Sequence, residues 1–447
     1  MRFAGFAEYA VSKKEGRPDA VWITLFLVVM GLGVALRLAN HNVSNPTPDE
    51  KTYAYYADQV AHGSIDTPGR LTENYNAHPD QWIYPTPIRT GYYYLLAAAM
   101  KCSGASACEA GVAVSSLSSI VQFILVAIIG LRFFDRWTTL IALALFSVCP
   151  MDLAIARRVW QDGVVGCAGL MLFYSSMEAS LRPRKKVWLA LFWMCGFFFL
   201  LLKESSGLIF GFYCAWLTGM CLLRKCPPMQ CAGIAMGCVV TGLLAFVTMA
   251  LLSGGVSSVI AVYQHATRTM PFNAYAVNFQ NGPWYSCPLC WWILSPVAAS
   301  LCCLGAAGWI FPGQPLRRTL QAALLLDEKG CAVAGSMAAC IFFVTAITFL
   351  PFYLKNLRYV SPVYGTEYLL GALGLRWLLE MCRASLSPAF LRMAITGAVM
   401  LIAGAVAADF VTFDRLFLKA GLDDLAAGRL IEQAFPRPLA PGQTGKS

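Results

Sequence analysis

The chain is 447 residues long, 58% hydrophobic and only 13% charged, with a formal net charge of +10. A soluble globular domain is about a quarter charged, so this composition, with a mean hydropathy of +0.58, excludes a soluble protein and defines a polytopic membrane protein. The excess of Lys and Arg sits in short loops between apolar runs, which is a topology signal and not a nucleic-acid-binding patch.

In chain order, the first twenty residues are mixed and charged, and the run that follows is long enough to span, so it reads as an uncleaved anchor. Apolar runs fall at 20–39, 111–131, 137–151, 162–180, 187–202, 206–223, 232–253, 288–311, 331–351, 360–378 and 391–409. They predict about eleven transmembrane helices in an all-α fold. The basic loops alternate: Arg2, Lys13, Lys14 and Arg17; Arg132 and Arg136; Arg182, Arg184, Lys185 and Lys186; Arg224 and Lys225; Arg317, Arg318 and Lys329; Arg376, Arg383 and Arg392. All fall on one side when the N-terminus is cytoplasmic. Residues 1–409 are then the transmembrane domain. Its 40–110 and 254–287 segments are outer loops, and 410–447 is an outer C-terminal tail. Within the first loop, 89–100 (RTGYYYLLAAAM) is apolar and aromatic but too short to span. It reads as an interfacial helix with its tyrosines at headgroup level. The Pro/Gly-rich chain end (PRPLAPGQTGKS) reads as disordered. No internal repeat or low-complexity tract is visible.

Most of the 17 cysteines lie in apolar runs, where they act as small hydrophobes. Cys287 and Cys290 have CxxC spacing without a second pair or a nearby His. Cys102 and Cys108 share an outer loop where a disulfide is open to them. A divalent metal is also open, with His265 and the carboxylates as available ligands but no ligand spacing to require it.

The predicted outer helix ends carry a mixture of acids, bases and aromatics that the inner ends lack. They hold Asp49 and Glu50; Arg157, Arg158, Gln161 and Asp162; Lys203 and Glu204; Tyr263, His265 and Arg268; Trp284 and Tyr285; Lys355, Asn356, Arg358 and Tyr359. Each has a bland reading. Asp49 and Glu50 can cap a helix, Asp162 can be a first-turn acid, Arg157 and Arg158 can snorkel, Lys203-Glu204 can be a solvated turn, and Trp284 and Tyr285 can be ordinary interfacial aromatics. Together they place proton-accepting carboxylates and anion-binding cations on one membrane face. Transfer from a phosphate-linked donor needs both: a base for the incoming hydroxyl and cations for the departing phosphate.

Five segments, in order, resemble motifs of the membrane glycosyltransferases of the GT-C fold, within these the group containing protein O-mannosyltransferases and bacterial lipid A aminoarabinose transferases. They are Asp49-Glu50 running into Tyr53-Ala-Tyr-Tyr; Pro85-Thr-Pro87 with Tyr92-Tyr-Tyr; Arg157-Arg-Val-Trp-Gln-Asp162; Gly282-Pro-Trp-Tyr-Ser286; and Asn356-Leu-Arg-Tyr-Val-Ser-Pro362. The resemblance implies inverting sugar transfer from a polyprenyl-phosphate donor to a lipid, glycan or protein hydroxyl. It implies Asp49 as general base with Glu50 and Asp162 orienting it, and Lys203, Arg158 and Arg358 on the donor phosphate. Tyr53, Tyr92, His265, Trp284, Tyr285 and Tyr359 would line the substrate pocket. The expected setting is a bacterial inner membrane with the active site periplasmic. A transporter or flippase of a lipid-linked or anionic solute is the alternative; it predicts mid-helix charges and an internal repeat. A structural or assembly protein is a third reading.

Overall fold

The computed structural model describes residues 20–39, 46–78, 85–182, 185–310, 328–349 and 355–435. Among them every regular element is helical, apart from one antiparallel bridge between Asn356 and Ala426. The basic residues 2–17, Arg184, Arg317 and Arg318, and the Pro/Gly-rich end lie outside the described residues.

α1 (Ala20–Leu38) leads into two short polar helices, α2 (Pro48–His62) and α3 (Thr67–Ala77), and then α4 (Thr90–Ser103). α2 starts where it does because Thr47 and Glu50 form a capping box, with Pro48 in the first turn. α4 ends at Gly104, whose φ of 68° is the left-handed conformation that glycine adopts without strain. A second capping box, Ser106 with Glu109, opens α5 (Ala107–Phe133). Next come α6 (Arg136–Ser147), α7 (Pro150–Ala156), α8 (Asp162–Leu181), α9 (Lys186–Leu200), α10 (Ser206–Leu223), α11 (Pro228–Leu252) and α12 (Val256–Thr269). The chain closes with α13 (Ser286–Leu294), α14 (Pro296–Ile310), α15 (Glu328–Phe349), α16 (Tyr364–Ser385), α17 (Pro388–Phe413) and α18 (Ala427–Ala434).

Seven described helices, α1, α5, α8, α10, α11, α15 and α17, are long and apolar enough to cross a membrane; counted as one span, the bent pair α6–α7 brings the number to eight. The expected eleven is therefore not confirmed. α9 and α14 are apolar but short, α16 carries Glu367, Arg376, Glu380 and Arg383, and the 288–311 run is broken at Ser295–Pro296 because proline cannot continue the donor ladder.

The segment at 89–100 differs from expectation. α4 packs between α2 and α5, and Tyr92 and Tyr93 are fully buried rather than at headgroup level. They join Tyr53 and Tyr56 in an aromatic cluster with ring centroids 5.1–6.3 Å apart.

The 58° bend between α6 and α7 falls at Pro150 and leaves carbonyls at the end of α6 without helical partners. Arg37, wholly buried, fills that gap: its guanidinium donates to the carbonyls of Phe146 and Ser147 and pairs with Asp152 at 2.5 Å. Helices approach closely where side chains are absent. A Cβ on Gly374 of α16 would lie 2.4 Å from the Leu301 carbonyl of α14, and one on Gly169 of α8 would lie 2.6 Å from Pro362. α8 and α9 run antiparallel, so Asp162 and Lys203 meet at one end of the bundle. Arg182, Lys185 and Lys186 lie at the other, where Glu178 binds Arg132 at 2.6 Å and Arg182 at 3.2 Å. Cys102 and Cys108 are both free thiols, as are Cys287 and Cys290.

Candidate active site

A pocket of about 520 Å³ opens at the helix ends opposite the basic loops, within the range of small-ligand sites. Separate segments build its wall: the start of α2 (Thr47, Asp49, Tyr53), Arg89, Trp160–Asp162, Lys203, the 270–280 loop, Arg358–Tyr359, and Asp423, Asp424 and Arg429 near the chain end.

Asp162 and Lys203 form its floor. Both are buried, with Nζ of Lys203 2.6 Å from Oδ1 of Asp162 and 4.0 Å from the Tyr359 ring centroid. Burial pushes the Lys203 ammonium down to about 8; Asp162 acts against that shift, while Arg89 and Arg358 add to it. Arg358 donates to Asp49 at 2.9 Å, and its Nε lies 3.9 Å from Asp162. Burial alone would lower its pKa, but Tyr359, Asp424, Asp49 and Asp162 outweigh that and hold the guanidinium charged. The Trp160 ring lies 5.4 Å from it. Of the two carboxylates beside Arg358, Asp49 is the accessible one, with a side chain 30% exposed against 3% for Asp162.

Glu50 has a different job from its neighbour. It is fully buried, and its carboxylate accepts from the Val159 amide at 2.9 Å, from the Thr47 amide at 2.7 Å and from Arg158. Glu50 and Arg158 therefore brace α2 against the 157–161 turn behind the pocket wall, and neither lines the cavity. Tyr92 also stands behind the wall, edge-on to Tyr53 at 5.2 Å. His265 lies on α12, against Tyr75 at 5.4 Å. Trp284, 70% exposed, packs edge-on to Tyr285 at the start of α13. None of these four lines the pocket. Of the expected site residues, Asp49, Tyr53, Asp162, Lys203, Arg358 and Tyr359 come together in it.

Sequence reasoning missed Arg89 and the chain-end residues. Arg89 is buried, pairs with Glu204 at 2.9 Å and donates to the Tyr53 hydroxyl. Its signal was an arginine opening an aromatic helix. Asp423, Asp424 and Arg429 carried no signal beyond two adjacent acids in a polar tail. Residues 422–434 fold back against the pocket wall through main-chain bonds from Leu357 N to Leu425 O (3.0 Å) and from Ala427 N to Lys355 O (2.8 Å). Among the described residues no group of three or more His, Cys, Asp or Glu side chains is placed to hold a metal ion.

No family model and no curated protein matches the chain. Among solved structures it is similar to the crystal structure of ArnT from Cupriavidus metallidurans in the apo state, at 14% identity and a TM-score of 0.45, covering 93% of this chain and 76% of that one. With the same ArnT bound to undecaprenyl phosphate the figures are 13%, 0.46, 93% and 74%. With the archaeal oligosaccharyltransferase AglB from Archaeoglobus fulgidus, in complex with an inhibitory peptide and a dolichol-phosphate, they are 12%, 0.45, 89% and 56%.

Proposed function

We propose that the protein is an integral membrane glycosyltransferase that moves a sugar from a polyprenyl-phosphate donor to a hydroxyl acceptor, with inversion. The observation that carries the reading is one pocket holding an accessible carboxylate, Asp49, beside two buried cations, Lys203 and Arg358. Two of the five motif segments supply Asp49 and Arg358; Lys203 lies outside them. The donor phosphate sits against Lys203 and Arg358. The acceptor oxygen attacks the anomeric carbon from the face opposite the phosphate, and its proton passes to Asp49. The anomeric carbon–oxygen bond to phosphate breaks, and its electron pair leaves on the phosphate oxygen. The cations stabilise that charge in a partly dry site, where removal of one such donor typically costs about 10²–10³ in rate. Asp162 holds Lys203 in place, and Tyr359 presents a ring face to both cations. The pocket opens to the outer face, opposite the basic loops; in a bacterial inner membrane that is the periplasm. Membrane lipids surround the bundle.

The test is a panel of radiolabelled polyprenyl-phosphate sugars offered to the protein in proteoliposomes, with membrane and periplasmic extract as the acceptor source. The expected result is consumption of one donor, release of polyprenyl phosphate, and label on a product without the prenyl chain. A donor that crosses the bilayer unconsumed would overturn the reading in favour of a flippase.

A further inference from the structure

Asp424 lies more than sixty positions beyond Arg358 in the chain, in the chain-end segment that lines the pocket. It is buried, and both of its carboxylate oxygens are engaged. Oδ1 accepts from the side-chain amide of Asn356 at 3.0 Å and from the Leu425 amide at 2.7 Å; Oδ2 accepts from the Tyr275 hydroxyl. Asn356 is itself a cap. Its Oδ1 accepts from the amide of Arg358 at 3.1 Å and so starts the 3-10 turn Leu357–Val363 that carries Arg358 and Tyr359. Because that oxygen faces the turn, the amide nitrogen must find an acceptor elsewhere, and Asp424 supplies it. An amide whose two ends are both spoken for has one orientation.

The main chain repeats the connection. Lys355 N donates to Gln280 O at 3.0 Å, Ala427 N to Lys355 O at 2.8 Å, and Leu357 N to Leu425 O at 3.0 Å. The 270–280 loop, the 355–357 segment and the chain-end segment are thus joined side by side. The Asp424 side chain bonds to all three, through Tyr275, Asn356 and its own neighbour Leu425. Its negative charge also faces the Arg358 guanidinium.

We infer that Asp424 is a positioning residue of the pocket: through Asn356 it sets the turn that aims Arg358 and Tyr359, and through Tyr275 it ties that turn to the facing loop. The inference rests on the proposed transferase reading for what Arg358 binds, but not for the geometry. Arg358 contacts the phosphate in the ground state and meets more charge there in the transition state, so misplacing it weakens donor binding as well as slowing the chemical step.

The experiment compares wild type, Asp424→Ala and Asp424→Asn as full-length protein in lipid. It reads amide hydrogen exchange by peptide and the affinity for farnesyl phosphate as a soluble polyprenyl-phosphate probe. Asp424→Ala is expected to speed exchange across Leu357–Val363 by at least tenfold, leave the α8 and α16 peptides unchanged, and weaken the probe by at least tenfold. Asp424→Asn keeps an oxygen for Asn356 and the Leu425 amide, and is expected to restore both readouts to within about threefold of wild type. Unchanged exchange at Leu357–Val363 in Asp424→Ala would overturn the inference. So would a uniform rise over the whole chain in both variants, which marks a merely structural residue. If farnesyl phosphate failed to bind wild type while the exchange pattern held, the transferase reading would fall and the positioning role would stand.

Discussion

Asp49 and Glu50 leave α2 one residue, and so about 100°, apart. That rotation separates their chemistry. Glu50 turns into the protein, where the Val159 amide, the Thr47 amide and Arg158 consume its lone pairs; Asp49 turns to the pocket and Arg358. In sequence the two carboxylates are equivalent candidates, because what distinguishes them is a partner more than a hundred positions away. Glu50→Ala is expected to destabilise the protein by about 1–3 kcal/mol, since it takes from the Val159 and Thr47 amides and from half-buried Arg158 the carboxylate they share; thermal unfolding in detergent measures this, and an unchanged midpoint would refute the bracing role. Lys203 makes a pH prediction. Its folded-state pKa of about 8 lies below the ordinary lysine value of 10.5, so its charge is present below pH 8 and is lost as pH rises through it. Farnesyl phosphate affinity should begin to fall above about pH 8, and Lys203→Met should remove that step. The linked stability effect has the opposite sign. Between pH 8 and 10.5 the unfolded chain binds the extra proton, so this residue's contribution to stability rises with pH over that window.

Among the elements, the bend between α6 and α7 shows how a membrane protein satisfies broken backbone. Proline stops the ladder, and an arginine from α1 takes the exposed carbonyls while Asp152 takes its charge. Arg37→Met removes the donor and leaves Asp152 uncompensated, so a loss of about 3–5 kcal/mol is expected. Midpoints from chemical denaturation in mixed micelles check it, and a neutral result would mean water replaces the guanidinium. The long apolar runs were legible from hydropathy alone; the cap was legible only as an acidic pair at a helix start, and Thr47, whose hydroxyl accepts from the Glu50 amide, was not. The runs at 187–202, 288–311 and 360–378 also form helices, but α9 and α14 are brief and α16 carries four charged residues, so the place of α16 in the bundle follows from packing against α14 and α6. The tyrosines of α4 looked interfacial because sequence shows amphipathic rings and not the neighbouring Tyr53 and Tyr56 that bury them.

At the scale of the whole molecule, the pocket and the basic loops lie at opposite ends of one helix bundle, which the alternation of Lys and Arg made legible before any contact was known. The chain-end wall was not, because 422–434 is short and only weakly amphipathic in sequence, and its structure comes from a seam formed with residues 355–357. Sidedness is testable by cysteine labelling in a variant lacking the exposed native Cys102 and Cys303. A membrane-impermeant maleimide is expected to reach Asp66→Cys in intact spheroplasts, and Lys185→Cys only after permeabilisation; the reverse pattern would invert the topology. The proposed chemistry rests on Asp49 taking the acceptor proton in a pocket that binds the donor through other groups. The most direct measurement is single-turnover transfer from the consumed donor by wild type beside Asp49→Asn, with farnesyl phosphate affinity recorded on the same samples. The account predicts a fall in rate of about 10²–10⁴, the usual worth of a general base, with probe affinity within a few-fold of wild type. Full transfer by Asp49→Asn would contradict it.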